Sequence, residues 1–199
     1  SGGISKERLI SLDTGLQVAR ELKNNGYKVK ISEPDISLAR KIKQFKPKVI
    51  FNALHGQFGE DGYIQTILDR FKIPYTHSSA IASSIAMDKE ISKKLFIKNK
   101  IKTPKFFTYS YEITKSNLIE KINKDLRFPV VIKPLNEGSS VNVYITNKKT
   151  LDKILYKLKV YKKVLIEEFI GGREIQVAIM GDKKLGAIEL KPKRKFYDY

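Results

Sequence analysis

The chain has 199 residues, 41% hydrophobic and 30% charged, a composition that suits one large or two small soluble domains with a real core. No apolar run reaches about 18 residues, which excludes a transmembrane helix, and the first residues lack the apolar stretch of a signal peptide. The absence of cysteine excludes disulfides and thiolate metal sites and makes the cytoplasm the expected compartment. The formal charge is +18, but only seven of the 39 basic residues are arginine and the lysines are spread over the whole length. That pattern reads as a solvated lysine coat, with a field able to attract an anionic substrate, rather than as a nucleic-acid face.

In chain order, Leu12 to Asn25 carries apolar residues at helical spacing, with Ser11 or Asp13 as N-cap and Gly26 as stop. Tyr27 to Ile31 alternates like a strand, and Ser37 to Phe45 reads as a short helix closed before Pro47. Lys48 to Leu54 is a near-continuous apolar run of the kind a buried parallel strand presents. A glycine-rich loop and a helix over Asp61 to Phe71 follow. Strand–helix alternation predicts an open α/β sheet for the first eighty or so residues, one strand short at its start. Residues 78–100 read as two helices meeting near Met87-Asp88-Lys89. After Pro104 the pattern becomes strand 105–109, helix 115–124, strands 129–134 and 141–145, helix 150–159 and strand 163–168, an α+β module. Residues 174–180 and 184–190 read as a hairpin around Gly181-Asp182.

Three clusters carry chemistry. His55-Gly56-Gln57-Phe58-Gly59-Glu60-Asp61-Gly62 lies between a strand and a helix, where α/β folds bind ligands, although a histidine in a turn also serves structure alone. Lys133 closes an apolar strand, and the Glu137-Gly138-Ser139-Ser140 loop after it offers backbone donors and hydroxyls to phosphate oxygens; an ordinary hairpin turn is the other reading. Val164 to Glu174 ends a strand in Glu167-Glu168-Phe169-Ile170 and a glycine pair, which suits an adenosine slot or simply a charged turn. No Gly-x-x-x-x-Gly-Lys-[Ser/Thr] occurs, so a P-loop is excluded.

Taken in order, six motifs resemble the D-alanine–D-alanine ligase family of the ATP-grasp superfamily: Gly-Gly-x-Ser-x-Glu-Arg from Gly2, His-Gly-x-x-Gly-Glu-Asp-Gly from His55, Met-Asp-Lys at 87–89, Val-Ile-Lys-Pro with Glu-Gly-Ser-Ser at 131–140, Glu-Glu-Phe-Ile-Gly-Gly-Arg-Glu at 167–174, and Phe-Tyr-Asp-Tyr at 196–199. The resemblance implies a Rossmann-like pre-ATP-grasp substrate domain at 1–82, a central ATP-grasp subdomain at 83–168 and the start of a C-terminal subdomain at 169–199. It further implies ATP-dependent joining of two D-alanines for peptidoglycan precursors, with magnesium or manganese as cofactor and a homodimer as the usual assembly, and neither nucleic acid nor membrane as a partner.

By the same resemblance, Glu7 receives the ammonium of the first D-alanine and His55 lines that pocket. Lys89 and Lys133 contact ATP phosphates, Ser139 joins Glu7 in a hydrogen-bonded network, and Glu137 and Ser140 belong to the phosphate-covering loop. Glu167, Glu168, Phe169, Ile170 and Glu174 form the adenosine run, and Phe196 to Tyr199 open a mobile covering loop. Asn142 stands where the family usually has glycine. The family's metal ligands are expected beyond Tyr199, as are an arginine facing the transferring phosphate and a loop lysine and tyrosine, so these 199 residues alone are expected not to ligate. Another ATP-grasp carboxylate–amine ligase, such as a D-alanine–D-lactate type, and a catalytically dead binding module are the alternatives.

Overall fold

The computed structural model describes residues 1–191, and the chain divides into two compact units, Ser1–Ile101 with Leu135–Ser139, and Lys102–Pro134 with Ser140 onward. In the first unit, helix α1 runs over Arg8–Asn24 and begins a turn earlier than the apolar spacing predicts. Neither Ser11 nor Asp13 caps it. Ser11 is fully buried; its hydroxyl donates to the Ala53 carbonyl at 2.6 Å and accepts from the Gly2 N–H at 2.8 Å. The buried stripe of α1 is Ser11, Gly15 and Ala19, while Leu16 points to solvent, so small residues at i, i+4 and i+8 do the packing.

Helix α2 spans Leu38–Phe45 and ends on Lys46 in a left-handed cap, as expected before Pro47. Helix α3, Tyr63–Asp69, is shorter than the expected 61–71 because Asp61 is spent on the loop: its carboxylate accepts from the N–H groups of Phe58 at 2.8 Å and Tyr63 at 3.1 Å. Helices α4, Ala80–Met87, and α5, Lys89–Lys98, meet at Asp88, whose extended backbone breaks the run and whose side chain accepts from the Ile91 N–H at 3.0 Å.

The two strands expected over 27–31 and 48–54 form no ladder with each other. Among the described residues, the second has one isolated parallel bridge, Ile50 to Tyr75. Val49 and Phe51 remain 60% and 46% exposed, against the expectation of a buried strand. The physical reason is a gap. A cleft of about 670 Å³ is lined by both extended segments, Tyr27, Val29 and Ile31 from the first and Val49, Phe51 and Ala53 from the second. Strands acquire ladder hydrogen bonds only from a neighbour about 4.8 Å away. Ile42, Leu54, Ile64 and Leu68 form the small core of this unit.

The second unit is a four-stranded antiparallel sheet in the order β1-β4-β2-β3, with β1 Phe106–Ser110, β2 Val130–Pro134, β3 Tyr144–Thr146 and β4 Lys163–Glu168. Helices α6, Lys115–Asp125, and α7, Leu151–Leu158, supply Leu118, Ile122, Leu151, Ile154, Leu155 and Leu158 to a core that also takes Val130, Ile132, Val164 and Ile166 from the sheet. Alternation then fixes the opposite face. Cross-strand partners share a face, so Val131 and Lys133 of β2 lie with Leu165 and Glu167 of β4 on the side away from that core. Strand β3 starts later than expected, because residues 141–143 are a loop. Strands β5, Glu174–Met180, and β6, Lys183–Leu190, form the expected hairpin, exposed over nearly all its length. No helix among the described residues is long and apolar enough to cross a membrane.

Candidate active site

In the first unit the site begins at the foot of α1. Gly2 and Gly3 both have positive φ, a backbone that glycine adopts without strain, and the Glu33 carboxylate closes over Gly2. Arg8 holds that turn: its guanidinium donates to the Gly3 carbonyl at 3.0 Å and to both Glu33 oxygens at 2.5 and 2.7 Å. This bidentate contact keeps the Glu33 carboxyl below its ordinary range.

Glu7 is thereby presented just ahead of the helix. Its backbone N–H donates to Ser5 Oγ at 3.2 Å, and Ser5 Oγ donates to the His55 carbonyl at 2.7 Å, so the two predicted residues are tied through one hydroxyl. Gly56 follows His55 with positive φ, and a β-carbon there would lie 2.5 Å from Glu7 Oε2; the backbone passes directly under the carboxylate. Ser139, 132 residues away in sequence, donates its hydroxyl to Glu7 Oε1 at 2.5 Å. The Ser139 loop is fastened to α5 by Lys89, whose N–H donates to the Leu135 carbonyl at 3.1 Å and whose ammonium donates to the Leu135 and Glu137 carbonyls at 3.2 and 2.5 Å. Lys6 lies 3.8 Å from the Glu137 carboxylate. Glu7, His55, Lys89, Glu137 and Ser139 therefore all belong to one unit.

In the second unit, Lys133 and Glu167 form an ion pair across adjacent strands, with the Glu167 side chain 8% exposed and that of Lys133 21%. Both sit on the face away from the helices, which leaves that face polar at the end of an otherwise apolar sheet. Glu168 ends β4 with its N–H on the Lys105 carbonyl at 2.9 Å. Phe169 and Ile170 project with 40% and 61% exposure, and Glu174 opens β5 in solvent.

Ser140 starts this unit's half of the glycine-serine loop. Ser139, Ser140 and Asn142 all adopt left-handed backbone, which costs a non-glycine residue about 1–2 kcal/mol and concentrates at functional sites. Asn142 compensates with its side chain: Nδ2 donates to the Tyr161 hydroxyl at 2.6 Å, and Oδ1 accepts from the Tyr144 hydroxyl at 3.3 Å. The asparagine keeps the conformation of a glycine and adds an anchor. Phe196 to Tyr199 lie outside the described residues.

Ser5, Thr14, Glu60 and Tyr161 have no role in the sequence reading. Ser5 and Glu60 stood inside motifs, as the serine after Gly2-Gly3 and the glutamate of the His55 to Gly62 run. Thr14 and Tyr161 carried no local signal and meet His55 and Asn142 across 41 and 19 residues.

The structure superimposes on the crystal structure of D-alanine–D-alanine ligase from Bacillus anthracis complexed with ATP, with a TM-score of 0.83 at 32% identity, covering 98% of this chain and 66% of that one. A D-Ala:D-Ser ligase from Enterococcus faecalis, VanG, matches with a TM-score of 0.67 at 30% identity over 76% of this chain and 46% of that one. The architecture is thus that of an ATP-grasp protein, present in part. Residues 30–78 match the family model described as D-ala D-ala ligase N-terminus, and residues 95–199 match D-ala D-ala ligase C-terminus. The chain belongs to the D-alanine–D-alanine ligase family. It is 70% identical, over its whole length, to a D-alanine–D-alanine ligase of Pelagibacter ubique, and 43% identical to one of Zymomonas mobilis. It spans 66% and 62% of those two relatives, about two thirds of their length.

Proposed function

We propose that this chain supplies the first-substrate site and part of the nucleotide site of an enzyme that joins two D-alanines at the expense of ATP. The observation that carries the reading is the Ser139–Glu7 hydrogen bond. It brings the glycine-serine loop to a carboxylate that stands against the Gly56 backbone and is linked through Ser5 to His55. Glu7 receives the ammonium of the first D-alanine, with His55 alongside. ATP is attacked at its γ-phosphorus by the D-alanine carboxylate, ADP leaves, and the amine of the second D-alanine displaces phosphate from the acyl phosphate. Lys89 and Lys133 neutralise phosphoryl oxygens, the loop bearing Glu137, Ser139 and Ser140 covers them, and Glu167, Glu168, Phe169, Ile170 and Glu174 receive the adenosine.

Magnesium or manganese is implied by the family, but among the described residues no group of three or more His, Asp or Glu side chains is arranged to hold a metal. The described residues do not fit the ion, and no step is assigned to it. Residues 1–82 serve as substrate domain, 83–168 as central ATP-grasp subdomain and 169–199 as the start of the next, in a cytoplasmic homodimer.

Hydroxylamine trapping tests the reading. With ATP, D-alanine and hydroxylamine, the polypeptide as the cell makes it should release ADP and form D-alanine hydroxamate, which only an activated carboxyl yields. ADP release that ignores D-alanine, or none at all, would sink it. A second reading, an ATP-grasp ligase with another second substrate, is favoured by the likeness to VanG. Replacing the second D-alanine by D-serine or D-lactate in the same assay separates the two.

A further inference from the structure

Glu60 has no place in the roles above, yet its carboxylate is held in a defined position against His55. Oε2 accepts from the Gly56 N–H at 2.9 Å, which pins the group beneath the turn. Oε1 then stands 3.6 Å from His55 Nδ1, an ionic rather than a hydrogen-bonding distance. On the other side of the ring, Nε2 is 3.1 Å from Thr14 Oγ1. The two neighbours differ in what they permit. A carboxylate only accepts, whereas a hydroxyl rotates to donate or accept. Placing the ring proton on Nε2 would point the Nδ1 lone pair at a negative charge; placing it on Nδ1 gives the carboxylate a positive partner and lets Thr14 donate to Nε2. The second arrangement puts the N–H toward the negative charge and the lone pair toward the donor.

We propose that Glu60 is a positioning residue that fixes His55 as the Nδ1–H tautomer, so that Nε2 presents a lone pair to a ligand. Thr14 lies seven residues after Glu7, two helical turns on and on the same side of α1. On the first-substrate reading above, the Glu7 carboxylate and the Nε2 lone pair both accept from a group that donates in several directions, a protonated primary amine. The Thr14 hydroxyl donates to Nε2, and the ligand's ammonium takes its place on binding. The choice of ammonium rests on the first-substrate reading above; the tautomer rests on geometry alone.

The test is a two-bond ¹⁵N–¹H correlation spectrum of the histidine-labelled protein, taken with the ring neutral. There are only two histidines, and His77→Gln assigns the other. The native protein should show the proton on Nδ1 of His55. Glu60→Gln should move it to Nε2, because the amide oxygen stays on the Gly56 N–H and the amide nitrogen now donates to Nδ1. The same variant should raise the KM for the first D-alanine about tenfold with kcat within about threefold, the scale of one hydrogen bond to a charged group. Thr14→Val should leave the proton on Nδ1, and it decides the matter if Glu60→Gln does not fold. An Nε2–H ring in the native protein, or an unmoved proton in Glu60→Gln, would overturn the proposal. An Nδ1–H ring in a protein with no D-alanine-dependent turnover would uphold the tautomer and sink the substrate reading instead.

Discussion

Lys133 shows how a ladder sets the surroundings of one residue. Two residues along β2, Val130 and Ile132, are fully buried in the helix-packed core; Lys133 alternates to the other face and meets Glu167 of the central strand. An ammonium at the end of an apolar sheet, held by a carboxylate 8% exposed, is a preorganised positive charge. Lys133→Ala should lower ATP-dependent ligation by at least about 100-fold, the scale of one such electrostatic contact, measured as kcat/KM for ATP. A loss below threefold would remove Lys133 from the phosphate site. Asn142 makes the complementary point about backbone. Asn142→Gly keeps the left-handed turn and loses the Tyr161 bond, whereas Asn142→Ala loses the bond and adds strain. In urea titrations, alanine should cost about 1 kcal/mol more than glycine. Equal losses would mean that the loop does not hold this conformation.

At the scale of elements, junctions decide more than interiors. The α4–α5 break exists because Asp88 adopts extended backbone and caps α5, and Asp88→Ala should cost about 1 kcal/mol in thermal unfolding while Asp88→Asn costs a few tenths. The loop before α2 is organised in the same manner by Asp35, which accepts from the Ser37 N–H at 2.8 Å and its hydroxyl at 2.5 Å and pairs with Lys41 at 2.7 Å. Lys41, followed by Ser37, lowers the Asp35 carboxyl to about 2 from 3.8. A carboxyl depressed in the folded state contributes stability that is complete above its unfolded value and is lost as pH falls through the folded one. The contribution of Asp35 should therefore persist at pH 4 and disappear toward pH 2. Asp35→Asn should flatten that part of the thermal-midpoint curve, and added salt should shrink the effect because the group is exposed. An unchanged acid limb in the variant would show that the pairing does not persist in solution.

For the whole molecule, the contrast lies between the two units. The second has a continuous antiparallel ladder of four strands over a core cluster of twelve buried side chains. The first has extended segments at 27–31 and 48–54 lining one cleft, and four buried side chains in its core cluster. Opening free energies follow buried contacts and ladder hydrogen bonds. Amide hydrogens of β2 and β4 should exchange at least about 100-fold more slowly than those of residues 28–31, read by mass spectrometry of peptic fragments. Similar rates in the two sets would contradict the absence of ladder bonds along 28–31.

The sequence by itself determined the α+β module element by element, since alternation in β2 and β4 and helical spacing in α6 and α7 are local patterns that the tertiary environment agrees with. It also singled out Glu7, His55, Lys89, Lys133 and Ser139 as candidates, because they stand in short motifs whose order is specific. Tertiary structure decided what local patterns cannot encode. Val49 and Phe51 look like buried strand residues, yet burial requires a neighbouring strand, and a window of sequence does not contain one. Ser11 looks like a cap and is a buried bolt between the Gly2 turn and Ala53. Glu60 looks like part of a turn; only folding sets its carboxylate against an imidazole ring whose other side meets a helix from the start of the chain. Hydrogen-bond partners of this kind are chosen by distance in space, and distance in space appears only when the chain has folded.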